Sequence, residues 1–158
     1  MHDHRISGIS DCIDIIEAKF INQTSGKEKI VYTLKPRNFE ILIEKLYKAM
    51  EYDTTLTPTT RDGGKDIIAT IKRKDGVEKL YVECKLYKTT KLKPVHVNAL
   101  TGVVIRDCAT RGVIFCTGDV SDEIKKIDPR ISIITMKEII LLLNMHLGSN
   151  WDEQDLAE

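Results

Sequence analysis

The sequence predicts an α/β protein built on a mixed sheet of about five strands, with helices on both faces. Three observations carry that reading. Lys74-Asp75-Gly76 is a hairpin turn signal between two strand-like runs. Residues 112–117 and 131–135 are short continuous apolar runs, which suit strands covered on both faces. Helical patterns separate those runs, so a hairpin feeds βαβ crossovers and the sheet must be mixed.

The elements follow in order. Ile13, Ile16 and Phe20 recur at helical spacing, so residues 11–21 are expected to form a short amphipathic helix. Residues 22–29 are polar and read as a loop, and residues 30–34 as a short strand. Pro36 fits the first turn of a helix over residues 36–50, whose apolar face is Phe39, Leu42, Ile43, Leu46, Tyr47 and Met50. Residues 52–60 are rich in Thr and Tyr and read as a strand. After the Asp62-Gly63-Gly64 turn come strands over residues 65–72 and 78–85. Residues 86–93 are a polar loop. Pro94 opens a second helix with Val97, Leu100, Val103, Val104 and Cys108 as its stripe. A helix is expected over residues 120–127 with Ser121 as N-cap, and a closing helix over residues 136–147, ended by Gly148. The expected organisation is an N-terminal extension (1–34), one domain (35–147) and an acidic tail (148–158).

At 158 residues the chain has the length of about one domain, and 42% apolar with 30% charged residues suits a globular protein. The longest strongly apolar stretch, residues 139–143, is too short to cross a bilayer. No secretory signal pattern opens the chain, so a cytoplasmic protein with no membrane partner is expected. Cys12, Cys84, Cys108 and Cys116 form no zinc pattern and read as reduced, mostly buried thiols.

The net charge is zero, which taken alone argues against a polyanion-binding protein. The distribution argues otherwise. Residues 1–34 are net −1, residues 35–150 net +5 and residues 151–158 net −4. No acid occurs between Glu83 and Asp107, yet Lys85, Lys88, Lys91, Lys93 and Arg106 do. With Arg61 and Lys65 upstream, Lys88, Lys91 and Lys93 read as a phosphate track. Removing residues 151–158 is expected to strengthen DNA binding at low salt.

The chemistry centres on Asp66 and Glu83-Cys84-Lys85. Side chains two apart on a strand share a face, so Glu83 and Lys85 point together and Cys84 points to the core. The hairpin turn lies midway between Asp66 and this segment, so two carboxylates and an ammonium converge. Two carboxylates suit a hard divalent cation such as Mg²⁺, with Mn²⁺ as an alternative. Such a cation activates water and polarises a phosphodiester, while Lys85 orients the water or stabilises developing charge. Glu40, on the first long helix, adds a ligand through water. Asn98, in the first turns of the second, is an accessory candidate, whereas His96 reads as a satisfied polar residue. Trp151 reads as a packing anchor or a partner contact.

Phe39-Glu40, Arg61-Asp62-Gly63-Gly64-Lys65-Asp66, Glu83-Cys84-Lys85 and Arg111-Gly112-Val113-Ile114 together resemble the catalytic domain of the Mrr type IV restriction endonucleases, members of the PD-(D/E)xK nuclease superfamily. The resemblance covers about residues 34–143. It implies a restriction-endonuclease-like fold, Asp66, Glu83 and Lys85 as catalytic core, and Glu40 as accessory acid. Many family members carry Gln at the place of Glu83. The implied function is metal-dependent DNA cleavage in defence against foreign DNA. A homodimer is expected, because one active site cuts one strand. Residues 1–34 are too few for a winged-helix reader, so a separate recognition or sensor subunit is a further expected partner. The alternatives are a structure-specific nuclease of the Holliday-junction resolvase type, and an effector or DNA-binding subunit of a larger defence complex.

Overall fold

The computed structural model describes residues 26–58 and 65–153. Two helices open it, α1 (Lys27–Thr33) and α2 (Pro36–Ala49), followed by strands β1 (Asp53–Leu56), β2 (Ile67–Arg73) and β3 (Gly76–Lys85). Then α3 (Pro94–Arg106), β4 (Arg111–Cys116), α4 (Asp122–Lys125), β5 (Ile131–Thr135) and α5 (Met136–Leu147) alternate, and a 3₁₀ turn over Trp151–Glu153 closes the fold. The five strands lie in the order β1-β2-β3-β4-β5. β1, β2 and β3 are antiparallel neighbours, and β3, β4 and β5 are parallel. The α/β class, the mixed sheet and its five strands agree with the sequence reading.

Local chemistry explains the elements. Pro36 and Pro94 each sit in the first turn of a helix, where a missing N–H removes no bond. Lys74 and Asp75 form a two-residue turn, and Gly76 takes φ 133, a conformation that favours glycine. Ser121 caps α4, its hydroxyl accepting from Ile124 N at 3.3 Å. That helix has four residues, shorter than the expected 120–127, because the Asp128-Pro129-Arg130 turn redirects the chain.

The sheet divides the core into two layers. On one face, α2 and α5 bury Phe39, Ile43, Leu46, Ile140 and Leu143 against Ile67, Val82 and Phe115. On the other, α3 and α4 bury Leu100, Val104 and Ile124 against Tyr81, Ile114 and Ile131. Gly112 lets α3 press onto β4, since a Cβ there would lie 2.6 Å from Ile131 Cδ1 and 2.9 Å from Leu100 Cδ2. Of the thiols, Cys116 is buried, Cys84 half-buried and Cys108 exposed, each unpaired. Cys12 and the expected helix over residues 11–21 lie outside the described residues. Among the described residues, no helix is long and apolar enough to cross a membrane.

The structure corrects the reading at both ends. The expected strand over residues 30–34, with part of the expected loop before it, is helix α1. Its Val31 is fully buried against the α2–α5 layer. Lys27 Nζ donates to Asn144 Oδ1 at 2.7 Å and to the Ser149 carbonyl. Trp151 Nε1 donates to the same Asn144 oxygen at 2.8 Å, and the Trp151 ring is fully buried. The packed unit thus runs past both bounds expected at 35 and 147. Deleting residues 151–158 would strip the core of Trp151, so that deletion cannot isolate the effect of the tail's charge. Replacing Trp151 with Ala is expected to cost about 3–5 kcal/mol of stability, measured by urea unfolding. A loss of less than about 1 kcal/mol would mean that the ring is not an anchor.

Candidate active site

The hairpin register builds the site. Ile67 pairs with Val82, so one step outward Asp66 lies across from Glu83. Asp66 N donates to Val82 O at 2.7 Å, which extends the ladder to the acid itself. Cys84 N donates to Asp66 Oδ2 at 2.7 Å and fixes the carboxylate. Tyr81 belongs to the α3 layer and Val82 to the α2 layer. Alternation therefore sends Glu83 and Lys85 toward the α3 side, and Cys84 toward α2. Lys85 Nζ lies 3.5 Å from Glu83 Oε2. At that length the ammonium is a charge neighbour rather than a hydrogen-bond donor. Glu83 is only 6% exposed, and its buried Oε2 has no hydrogen-bond partner.

Burial and crowding set the charges. Burial pushes Glu83 from its ordinary 4.5 up to about 7, with Asp66 adding to the rise and Lys85 opposing it. Asp66 is raised by burial, against the pull of the Cys84 amide, Lys85 and Arg37. Glu40 from α2 is raised by burial and then by Asp66, so this third acid is near enough to feel Asp66. Burial lowers Lys85, but Glu83, Tyr87 and Asp66 outweigh it and hold the ammonium charged. The carboxylates are thus undercompensated by the protein's own cations.

That arrangement fits a divalent cation. Asp66 and Glu83 are the residues that could supply oxygen ligands to it, and Glu83 Oε2 is a buried acceptor with no donor. Among the described residues, no group of three or more His, Cys, Asp or Glu gathers at one point. Mg²⁺ keeps several waters and binds through one or two carboxylates.

The other expected residues divide. Lys88, Lys91 and Lys93 are exposed on the segment between β3 and α3, which leads directly from the site. Asn98 is exposed on α3. Lys65 is drawn elsewhere: its Nζ lies 4.5 Å over the Tyr81 ring and 3.8 Å from Asp107 Oδ2, and its side chain is 16% exposed. Arg61 lies outside the described residues. His96 accepts from Lys93 N at 3.1 Å and caps α3, the satisfied role expected of it. Burial, Lys85 and Lys93 push its pKa down.

Arg37 and Thr57 escaped the sequence reading. Arg37 Nη1 donates to Glu40 Oε1 at 2.9 Å and to Thr57 O at 2.8 Å. Thr57 N donates to Asp66 O at 2.8 Å. The one available signal was the i,i+3 spacing of Arg37 and Glu40 on a helix.

Known proteins resemble this chain in sequence or in fold. The family model for the restriction endonuclease catalytic domain of Mrr type matches residues 31–143. An uncharacterized protein of Sinorhizobium fredii (strain NBRC 101917 / NGR234), y4cE, is 28% identical over 85 residues, which are 53% of this chain and 22% of that protein. The DNA modification-dependent restriction endonuclease AspBHI superposes with a TM-score of 0.60 at 19% identity, over 84% of this chain and 39% of its own. The likeness to AspBHI is one of fold. The chain spans about a fifth of the curated relative and about two fifths of the solved one.

The raised carboxylates make stability depend on pH in a defined sense. Between 4.5 and about 7 the folded chain keeps the Glu83 proton that the unfolded chain has released. Stability is fullest below that window and falls as pH rises through it, by on the order of 3 kcal/mol at most for this group. Metal-free Glu83→Gln is therefore expected to be more stable than wild type at about pH 8, and to show a shallower fall from about pH 5. Urea unfolding in EDTA at both pH values checks this. Equal differences between the two proteins at both would contradict it.

Proposed function

The chain belongs to the Mrr catalytic-domain family of restriction endonucleases, and on that footing we propose that it is a metal-dependent DNA endonuclease. The observation that carries the reading is the buried Glu83 carboxylate, with one donorless oxygen, held across from Asp66 and beside Lys85. A buried carboxylate without a partner is expensive, and such groups concentrate at functional sites.

In this reading Asp66 and Glu83 would hold Mg²⁺ or Mn²⁺, with Glu40 as the accessory acid. When bound, the ion would polarise the scissile phosphate and acidify an attacking water. The chain's own residues do the rest. The Cys84 amide keeps the Asp66 carboxylate oriented. Glu83 gives up its proton as the site fills. Lys85 stays charged and stabilises the negative charge that grows on the phosphate oxygens, or orients the water. The water gives up a proton to solvent as its oxygen bonds to phosphorus, one P–O ester bond breaks, and the departing sugar oxygen takes up a proton from solvent.

The exposed Lys88, Lys91 and Lys93 support a DNA track that leads away from the site, in a stretch without acids. Lys65, engaged by Tyr81 and Asp107, contributes less to it. We assign the enzyme to restriction-type defence. AspBHI is by its name modification-dependent. Target choice in the present case is proposed to lie with a recognition domain or subunit beyond this nuclease fold, and cutting of both strands with a second copy.

The test is cleavage of plain and methylated supercoiled plasmid by the purified chain with Mg²⁺. Wild type is expected to nick DNA, and Asp66→Ala and Lys85→Ala to lose about a thousandfold in rate with their melting temperatures retained. Cleavage undiminished in either variant would rule the assignment out.

A further inference from the structure

Arg37 occupies the second position of α2, and no acidic residue shares that first turn. Helix N-terminal amides carry partial positive charge, so an arginine is disfavoured there unless something nearby calls for it. The guanidinium folds back toward the site. Its Nη1 has two hydrogens and meets two acceptors, Glu40 Oε1 at 2.9 Å and Thr57 O at 2.8 Å. Thr57 in turn holds the segment that carries Asp66. Its N–H donates to Asp66 O at 2.8 Å, and its hydroxyl lies 3.0 Å from the same carbonyl oxygen and 2.9 Å from Lys65 O. One nitrogen thereby ties the accessory acid of a helix to the backbone of the acid that precedes β2.

An i,i+3 Arg–Glu pair on a helix surface is ordinarily a weak, replaceable contact. This one differs, because a carbonyl from another element shares the nitrogen and fixes the rotamer. The side chain is 37% exposed and Glu40 14%, so the contact lies at the lip of the site. Both acceptors meet one nitrogen whose two hydrogens the planar guanidinium holds in fixed directions, a preorganisation that a lysine's rotating ammonium lacks.

We infer that Arg37 is a positioning residue for the metal site: it sets the carboxylate of Glu40 and, through Thr57, the backbone at Asp66, so that the acids keep one spacing. The inference rests on the metal-dependent nuclease reading. Partners that orient metal ligands commonly matter tenfold to a hundredfold in metal affinity or activity.

The experiment measures Mn²⁺ affinity by calorimetry, plasmid cleavage and melting temperature on the full chain. It compares wild type, Arg37→Ala, Arg37→Lys, Glu40→Gln and the double variant Arg37→Ala/Glu40→Gln, with Asp66→Asn as control. Arg37→Ala is expected to weaken Mn²⁺ binding about tenfold and to slow cleavage 10- to 100-fold, roughly the range seen when an orienting partner is lost, with the loss in kcat rather than KM. Arg37→Lys recovers part of it. The double variant loses less than the product of the two single losses, because part of the Arg37 effect passes through the Glu40 carboxylate. A fall in melting temperature with unchanged Mn²⁺ affinity would show a purely structural staple and overturn the inference. So would losses that multiply in the double variant. If Arg37→Ala does not fold, Arg37→Lys decides by the same two readouts. If wild type binds Mn²⁺ no better than Asp66→Asn, the nuclease reading fails and this inference with it. If wild type binds Mn²⁺ and Arg37→Ala matches it, the inference alone fails.

Discussion

The pairing of Ile67 with Val82 is the constraint from which the site follows. A strand repeats every two residues, so a one-residue slip would turn Glu83 and Lys85 into the α2 layer and Cys84 toward α3. The hydrophobic sets on both faces oppose that slip. Ile67, Ala69, Leu80 and Val82 belong to one layer, and Tyr81 to the other. The two-residue turn at Lys74-Asp75 fixes the same register from the far end. Core packing and turn chemistry thus agree, and their agreement places a carboxylate where water is scarce.

β3 is the pivot of the sheet. It is antiparallel to β2 and parallel to β4, so its C-terminal end lies where the hairpin half meets the crossover half. α2 brings Glu40 to that end from one layer. The segment leading to α3 carries its lysines away from it on the other. Beyond Lys85 the chain is clamped rather than loose: Thr117 N donates to Lys85 O at 3.0 Å, and Tyr87 N donates to Thr117 Oγ1 at 2.7 Å. Gly118 permits this closeness, since a Cβ there would meet Thr90 O at 2.6 Å. The lysine segment therefore starts from a fixed point at the end of β4.

What was legible in the sequence was what local chemistry decides. Pro36 and Pro94 announced their helices, Lys74-Asp75-Gly76 its turn, and the apolar runs at β4 and β5 a doubly covered sheet. Alternation was enough to put Glu83 and Lys85 on one face. What escaped depends on contacts between distant residues. α1 is a helix because Lys27 and Val31 find Asn144 and the α5 layer, and Lys27 and Asn144 are 117 positions apart. Trp151 reads equally as a packing anchor or a partner contact in the sequence, and only its burial and the Asn144 oxygen decide for the anchor. Lys65 looks like a free cation beside an acid, yet Tyr81 and Asp107 hold it. Arg37 was an ordinary helix charge until Thr57 appeared at its other side.

The site turns on a buried carboxylate that the protein's own cations leave undercompensated. If Asp66 and Glu83 bind a divalent cation, that cation must displace the proton which burial keeps on Glu83. Calorimetry of Mg²⁺ binding to the full chain, in two buffers of different ionisation enthalpy, counts that proton directly. The account expects release of about one proton per ion near pH 6, vanishing above about pH 8 and absent from Glu83→Gln. Identical heats in both buffers near pH 6, with Mg²⁺ bound, would contradict it.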